Sequence, residues 1–321
     1  MPRIQLPSRE RPQVLIEADG AEDILSLDSA TIIDLYKAHG ALQFRGFGVD
    51  VEQFRRFTKT YSSTSVLNES PGRRPIDPDN NIHTVDGGVR EFSLHPELSR
   101  EPWKPDVAMF CCISAPSEGG ATTICDGVQL VREMPEQVRA GLLGRRLLYI
   151  KGTWPELLEY WLGTRTPTDQ QLLSPPRSCP YYFRRVEQHI VRVFSRPALH
   201  RPMFIDAPAF GNFLLFARFN NNRPDFPLLD DGYPVSEAWL QAIKSTGDRL
   251  KAPIRWSNGD VVMLDNTRFM HGRTAITDPG ERLIATYFGY LNFALPDPEE
   301  PEDPIWRRQD FQPPLPPDLP R

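Results

Sequence analysis

The chain has 321 residues, 40% of them hydrophobic and 25% charged, with a formal net charge of −5. That is a globular composition, long enough to bury a substantial core, and its acidic balance speaks against non-specific nucleic-acid binding, which draws on a basic surplus. No apolar run reaches the ~20 residues of a membrane span, and Met1-Pro2-Arg3-Ile4 opens without the apolar core of a signal peptide. A cytoplasmic protein with no nucleic-acid or membrane partner is expected.

Asp28-Ser29 supplies an N-cap, Ile32, Ile33, Leu35 and Tyr36 follow at helical spacing, and Gly40 supplies the stop. Residues 41–47 alternate as a strand does, and residues 51–61 read as an amphipathic helix burying Phe54 and Phe57. Residues 62–88 are polar and rich in Gly, Pro and Asn, which predicts a long loop ahead of a site. Residues 107–114 read as a buried strand, with 122–125 as its hairpin partner across Pro116-Ser117-Glu118-Gly119-Gly120. Helices are expected near 135–143, 155–161 and 236–250, and strands near 188–194, 212–219, 260–264, 271–276 and 283–290. Residues 163–180 lack a clean period and read as a loop.

Many short strands with flanking helices favour a mainly β fold, a double-stranded β-helix or cupin-like jelly roll. Its mouth between the sheets is where small-molecule sites form. Residues 1–295 read as a single domain with a loop and helical insert at about 150–187. Residues 296–321, which hold many of the 33 prolines, read as an extended strap or tail. The four cysteines are too few and too irregular for a disulfide framework; Cys111 and Cys112 are adjacent and would face opposite sides of one strand.

The chemistry concentrates in His95-Pro96-Glu97, answered by His271 and then by Arg282. On an extended segment His95 and Glu97 face the same way, so the pair can grip one ion. Two imidazoles and one carboxylate make a facial triad, the ligand set of non-haem Fe(II) centres that activate O₂. Arg282 offers a guanidinium fork suited to the far carboxylate of a 2-oxoacid.

With Leu94-His95-Pro96-Glu97-Leu98-Ser99, the segment from Ala115 to Thr123, the run from Asp265 to Arg273, and Arg282 in place, the chain resembles the TauD/TfdA-type Fe(II)/2-oxoglutarate dioxygenases from about Gly40 to about Gly289. Within them it looks closest to the SyrP-like natural-product amino-acid hydroxylases, which implies a place in antibiotic biosynthesis. The resemblance implies iron on His95, Glu97 and His271, and 2-oxoglutarate contacts from Thr122 and Arg282. Two departures stand out: the acid is Glu rather than the commoner Asp, and Thr286 replaces the sulfonate-binding Arg expected four residues after Arg282, which disfavours taurine. In the related halogenases the position of Glu97 holds a small residue; a carboxylate here points to hydroxylation, with desaturation or ring closure as other outcomes.

The expected substrate is an amino acid or an amino-acid-derived intermediate, free or presented on a carrier protein; a homo-oligomer stays open. Candidate substrate contacts are Glu91, which would meet an ammonium, His83 in the pre-site loop, Asn220 and Asn222 in an amide-rich run, and Arg268. Two rival readings remain at this stage. A zinc hydrolase would use the same His/Glu/His set, although no H-E-x-x-H motif supplies its base. A β-sandwich binding protein would keep the fold without catalysis.

Overall fold

A computed structural model describes residues 2–316. Its centre is a nine-stranded sheet in which Val107–Ser114 lies between Val261–Asp265 and Leu283–Leu291. A second sheet of four strands runs in the order Ala252–Ile254, Thr122–Asp126, Phe269–Arg273, Phe92–His95. A third, also of four, is built from Tyr182–Val186, His189–Pro197, Arg146–Gly152 and Leu228–Leu229. Eight α-helices accompany them among the described residues, so the fold is mainly β with several sheets.

The strand Val107–Ser114 shows why the layers stack. Its sequence, VAMFCCIS, is apolar on both faces, as a strand covered on both sides must be. Val107, Met109 and Cys111 pack with Phe54, Phe57 and Tyr36 under the helices Ser29–His39 and Val51–Tyr61. Ala108, Phe110 and Cys112 turn the other way, into a cluster with Leu94 and Ile124 of the second sheet. Both helices start where the sequence caps them: Asp28 accepts from Thr31 N, and Asp50 forms a capping box with Gln53.

Four expected elements come out differently. Residues 163–180 are not all loop: Thr168 forms a capping box with Gln171 and starts the short helix Asp169–Leu173. Residues 122–125 are not a hairpin partner of Val107–Ser114. Gly119 and Gly120 both take left-handed φ values, +69° and +62°, and steer the chain into the second sheet, where Thr122–Asp126 pairs with Phe269–Arg273 and Ala252–Ile254. Residues 212–219 do not form a strand but end in the helix Leu214–Phe219, begun as Asn212 Oδ1 accepts from Leu214 N at 3.0 Å. The stretch 62–88 is not a bare loop; short strands Ser62–Ser65, Pro75–Asp77 and Ile82–Thr84 extend the large sheet.

The Pro-rich segment after residue 295 packs along the body. Arg307 bonds the Asp106 carboxylate at 2.8 and 2.9 Å and Glu300 at 2.7 Å, and Trp306 is buried. The last five residues of the expected tail, 317–321, lie outside the described residues.

Candidate metal centre

Strand register assembles the site. Phe92–His95 pairs antiparallel with Phe269–Arg273 so that His95 and His271 are direct partners, the spacing at which cross-strand side chains touch. Their ring centroids lie 4.6 Å apart. Phe92–His95 is an edge strand, and its free side is held by an amide: Asn220 Oδ1 accepts from Ser93 N at 2.8 Å and Asn220 Nδ2 donates to the Glu91 carbonyl at 3.0 Å. The helix before Asn220 sets Phe216 against the His95 ring, 4.4 Å between centroids.

Glu97 follows past Pro96, with Leu98 in the left-handed region at φ +49°. The backbone on either side of its Cα is clamped by one buried side chain. Asn266 Oδ1 accepts from Glu97 N at 2.7 Å, and Asn266 Nδ2 donates to the carbonyls of Glu97 at 3.1 Å and Pro105 at 2.8 Å. The Glu97 carboxylate accepts from Asn68 Nδ2 and, at 3.1 Å, from Arg73 Nη2. One donor atom each from His95, Glu97 and His271 fall within 4.8 Å of one another.

The protonation states suit a metal. His95 Nδ1 donates to the Ser93 carbonyl at 2.8 Å, which leaves the Nε2 lone pair for a ligand. Burial pulls the His95 pKa down, and burial reinforced by the His95 and Arg73 charges pulls that of His271 well below its ordinary value. Both rings are therefore neutral at neutral pH, as metal ligands must be. Glu97 and His271 are 4% and 7% exposed, so a charge placed among them is largely shielded from water.

Arg282 reaches the interior from the start of Leu283–Leu291, and Thr122 from the facing sheet. Arg282 Nε donates to the Gly120 carbonyl at 2.7 Å and Nη2 to Thr122 Oγ1 at 3.4 Å. Neither acid near it in sequence takes it: Glu281 accepts from Ser117 and Asp278 from Gly280 N. Burial, helped by the Arg273 charge, lowers its pKa to about 10, so it stays cationic at neutral pH with no ion pair among the described residues. A buried, uncompensated guanidinium is costly unless an anion joins it, and a 2-oxoacid carboxylate is such an anion. Gly120 is required beside it, because a Cβ there would lie 2.8 Å from Arg282 Cδ.

Beside the triad opens a cleft of about 580 Å³ lined by His95, Glu97, Phe213, Phe216, Phe226, Asp86, Arg100, Lys151 and Arg223. The five residues expected to touch substrate line no part of it. Asn220 is spent on backbone, Asn222 accepts from Arg218, and Arg268 bonds Asp126 at 2.6 Å. Glu91 borders a separate small pocket, and His83 lies on the strand Ile82–Thr84 with its carbonyl bonded to Thr286. What sequence reasoning missed are Asn68 and Arg73, from the stretch read as loop, and Arg100, Lys151, Phe213 and Phe216. Only Arg73 had an indirect signal. Its Nη1 donates to Thr286 Oγ1 at 3.0 Å, so a cation arrives from elsewhere in the chain beside the residue that stands in place of the sulfonate-binding Arg.

Asn266→Ala strands three buried backbone groups and is expected to cost about 2–3 kcal/mol of stability. Urea unfolding measures that loss, and Fe(II) affinity is expected to fall with it because Glu97 loses its backbone clamp.

A model of the family described as "Taurine catabolism dioxygenase TauD, TfdA family" matches residues 10–287. Among curated proteins, no sequence match is found. Solved structures share the fold at low identity. PvcB from Pseudomonas aeruginosa superposes with a TM-score of 0.61 at 16% identity, covering 92% of this chain and 94% of PvcB. A putative alpha-ketoglutarate-dependent taurine dioxygenase from Burkholderia xenovorans gives 0.61 at 13%, covering 94% and 93%. AAD-2, solved with Mn(II) and N-oxalylglycine, gives 0.55 at 13%, covering 94% and 100%.

Proposed function

The chain belongs to the TauD, TfdA family of dioxygenases, and from that premise we propose that it oxidises an unactivated C–H bond of an amino acid or amino-acid-derived natural-product intermediate, with hydroxylation as the default outcome. It is an Fe(II)- and 2-oxoglutarate-dependent dioxygenase. The observation that carries the proposal is the conjunction of a register-locked His95/Glu97/His271 cluster with a buried guanidinium that has no carboxylate of its own.

His95, Glu97 and His271 would hold the iron, and Arg282 with the Thr122 hydroxyl would hold the far carboxylate of 2-oxoglutarate. Bound together, these groups supply O₂ activation, with 2-oxoglutarate leaving as succinate and CO₂. The chain's own contribution is placement and shielding. Ser93 fixes the His95 tautomer, Asn68 and Arg73 orient the Glu97 carboxylate, and Asn266 fixes its backbone. Phe213 and Phe216 pack together as an apolar wall of the cleft.

The cleft's chemistry supports an amino-acid-like substrate. Arg100 and Lys151 share a single acid, Glu101, which leaves positive charge for a carboxylate. Asp86, which lines the cleft where Glu91 does not, would share its carboxylate between Arg73, Ser70 and a substrate ammonium, and the phenylalanines suit an apolar side chain. A sulfonate has less support, since Arg73 is committed to Glu97, Asp86 and Thr286. Part of the same proposal are one catalytic domain over 1–295 whose two facing sheets form a double-stranded β-helix, presentation of substrate free or on a carrier protein, and a cytoplasmic address, supported by four unpaired thiols.

Coupled succinate formation against a panel of amino acids, their acyl derivatives and taurine tests this reading. An amino-acid class is expected to stimulate turnover, and Arg100→Ala to raise its KM on the order of tenfold, the loss of one charged hydrogen bond. Stimulation by taurine alone would contradict the substrate assignment.

A further inference from the structure

Away from the catalytic cleft, two adjoining cavities of about 240 and 150 Å³ lie beneath the segment 295–300. Lys104, Arg196, His200 and Asp297 line both, and none of them lines the cleft beside the triad. The larger has room for a small anion and several waters.

Lys104 is the unusual member. It is only 5% exposed, yet its ammonium has no hydrogen bond or ion pair among the described residues. Buried ammonium groups are ordinarily paired, because leaving the charge unmet is costly. The acids nearby are engaged elsewhere. Arg307 takes Asp106 and Glu300, and the Thr267 amide and hydroxyl take Asp265. Asp297 caps Glu299 N at 2.9 Å and stands 3.9 Å from Arg196 Nη1.

The second cation sharpens the case. Arg196 has a buried Nε with no hydrogen-bond partner; its guanidinium lies 5.3 Å from the Phe194 ring centroid, and its one ion-pair contact among the described residues is the 3.9 Å approach to Asp297. Its charge acts on Lys104: burial first, then Arg196, brings the lysine's pKa down to about 7. The charges of Asp297, Asp265 and Asp106 act on Lys104 in the opposite sense, but each of these carboxylates is bonded by other groups and none touches the ammonium, so Lys104 and Arg196 face the cavity with no acceptor bonded to the lysine. His200 adds no charge, since burial and Lys104 bring its pKa down to about 3 and its Nε2 sits 2.6 Å from the Thr267 carbonyl.

We propose that this cavity is a second binding site, separate from the iron centre, for a small oxyanion held between Lys104 and Arg196. A carboxylate and a phosphate offer the same chemistry to these donors, a compact negative charge with several acceptor oxygens.

The test is isothermal titration of the intact chain, loaded with Fe(II) and 2-oxoglutarate under argon, with inorganic phosphate and separately with succinate. One of the two is expected to bind with one-to-one stoichiometry. Its affinity is expected to fall at least tenfold in Lys104→Met, which replaces a buried cation by an apolar chain of similar volume, and in Arg196→Gln. Arg282→Ala, titrated in the same way, is expected to bind that anion like the wild type, which separates this site from the cosubstrate pocket. The proposal is overturned if neither anion binds the wild type, if binding is unchanged in Lys104→Met, or if it is lost in Arg282→Ala.

Discussion

His271→Ala is expected to reduce 2-oxoglutarate turnover to background while the protein stays folded. The imidazole packs on His95 at 4.6 Å and on Phe110 at 5.1 Å between ring centroids, and its Nε2 lies 3.7 Å from Glu97 Oε2. Its removal takes away one of three donors and leaves two, too few to hold a facial site. Folding should survive because the neighbouring charge keeps its partners: Glu97 retains Asn68, Arg73 and the Asn266 clamp. No buried carboxylate is orphaned, which is the usual route to a large loss of stability. Succinate release and circular dichroism on the same preparation give both readings. Wild-type turnover in this variant would mean that the metal sits elsewhere.

Arg282→Ala is expected to weaken 2-oxoglutarate binding by roughly 2–4 kcal/mol, the scale of truncating one partner of a buried charge pair, or about 30- to 700-fold. Iron binding should be retained, since Arg282 contacts Gly120 and Thr122 and none of the three candidate ligands. Arg282→Lys keeps a charge but loses the planar fork, so it should recover part of the affinity and not all of it. Equilibrium binding of 2-oxoglutarate to the Fe(II) protein without oxygen measures each. Unchanged affinity in the alanine variant would remove the cosubstrate role from this residue.

These two residues were legible in the sequence because their chemistry is local. His95-Pro96-Glu97 needs only an extended backbone to aim both donors the same way, and His271 and Arg282 stand out by type and order. The supporting shell was not legible, because it is tertiary. Arg73 sits in a stretch without periodicity, and only the pairing of Ile82–Thr84 onto Leu283–Leu291 brings that stretch to Thr286 and Glu97. Asn220 stands in an amide-rich run that suggested substrate contact; its role as a substitute ladder partner for the edge strand depends on a helix being where a strand was expected. That error has a plain cause: Phe-Leu-Leu-Phe-Ala-Arg-Phe is a short apolar run, and such runs do not distinguish a buried strand from a buried helix. The hairpin expected at 122–125 failed for a different reason, since two consecutive left-handed glycines reverse the chain between sheets as readily as within one.

The most direct test of the central claim is an anaerobic titration of the metal-free protein with Fe(II) and then 2-oxoglutarate, watching for the weak visible charge-transfer band of the chelate. The expected result is a band that saturates at one equivalent of iron and is absent in His95→Ala. Iron binding without the band would contradict the assignment of Arg282 and Thr122, and no iron binding at all would contradict the metal centre itself.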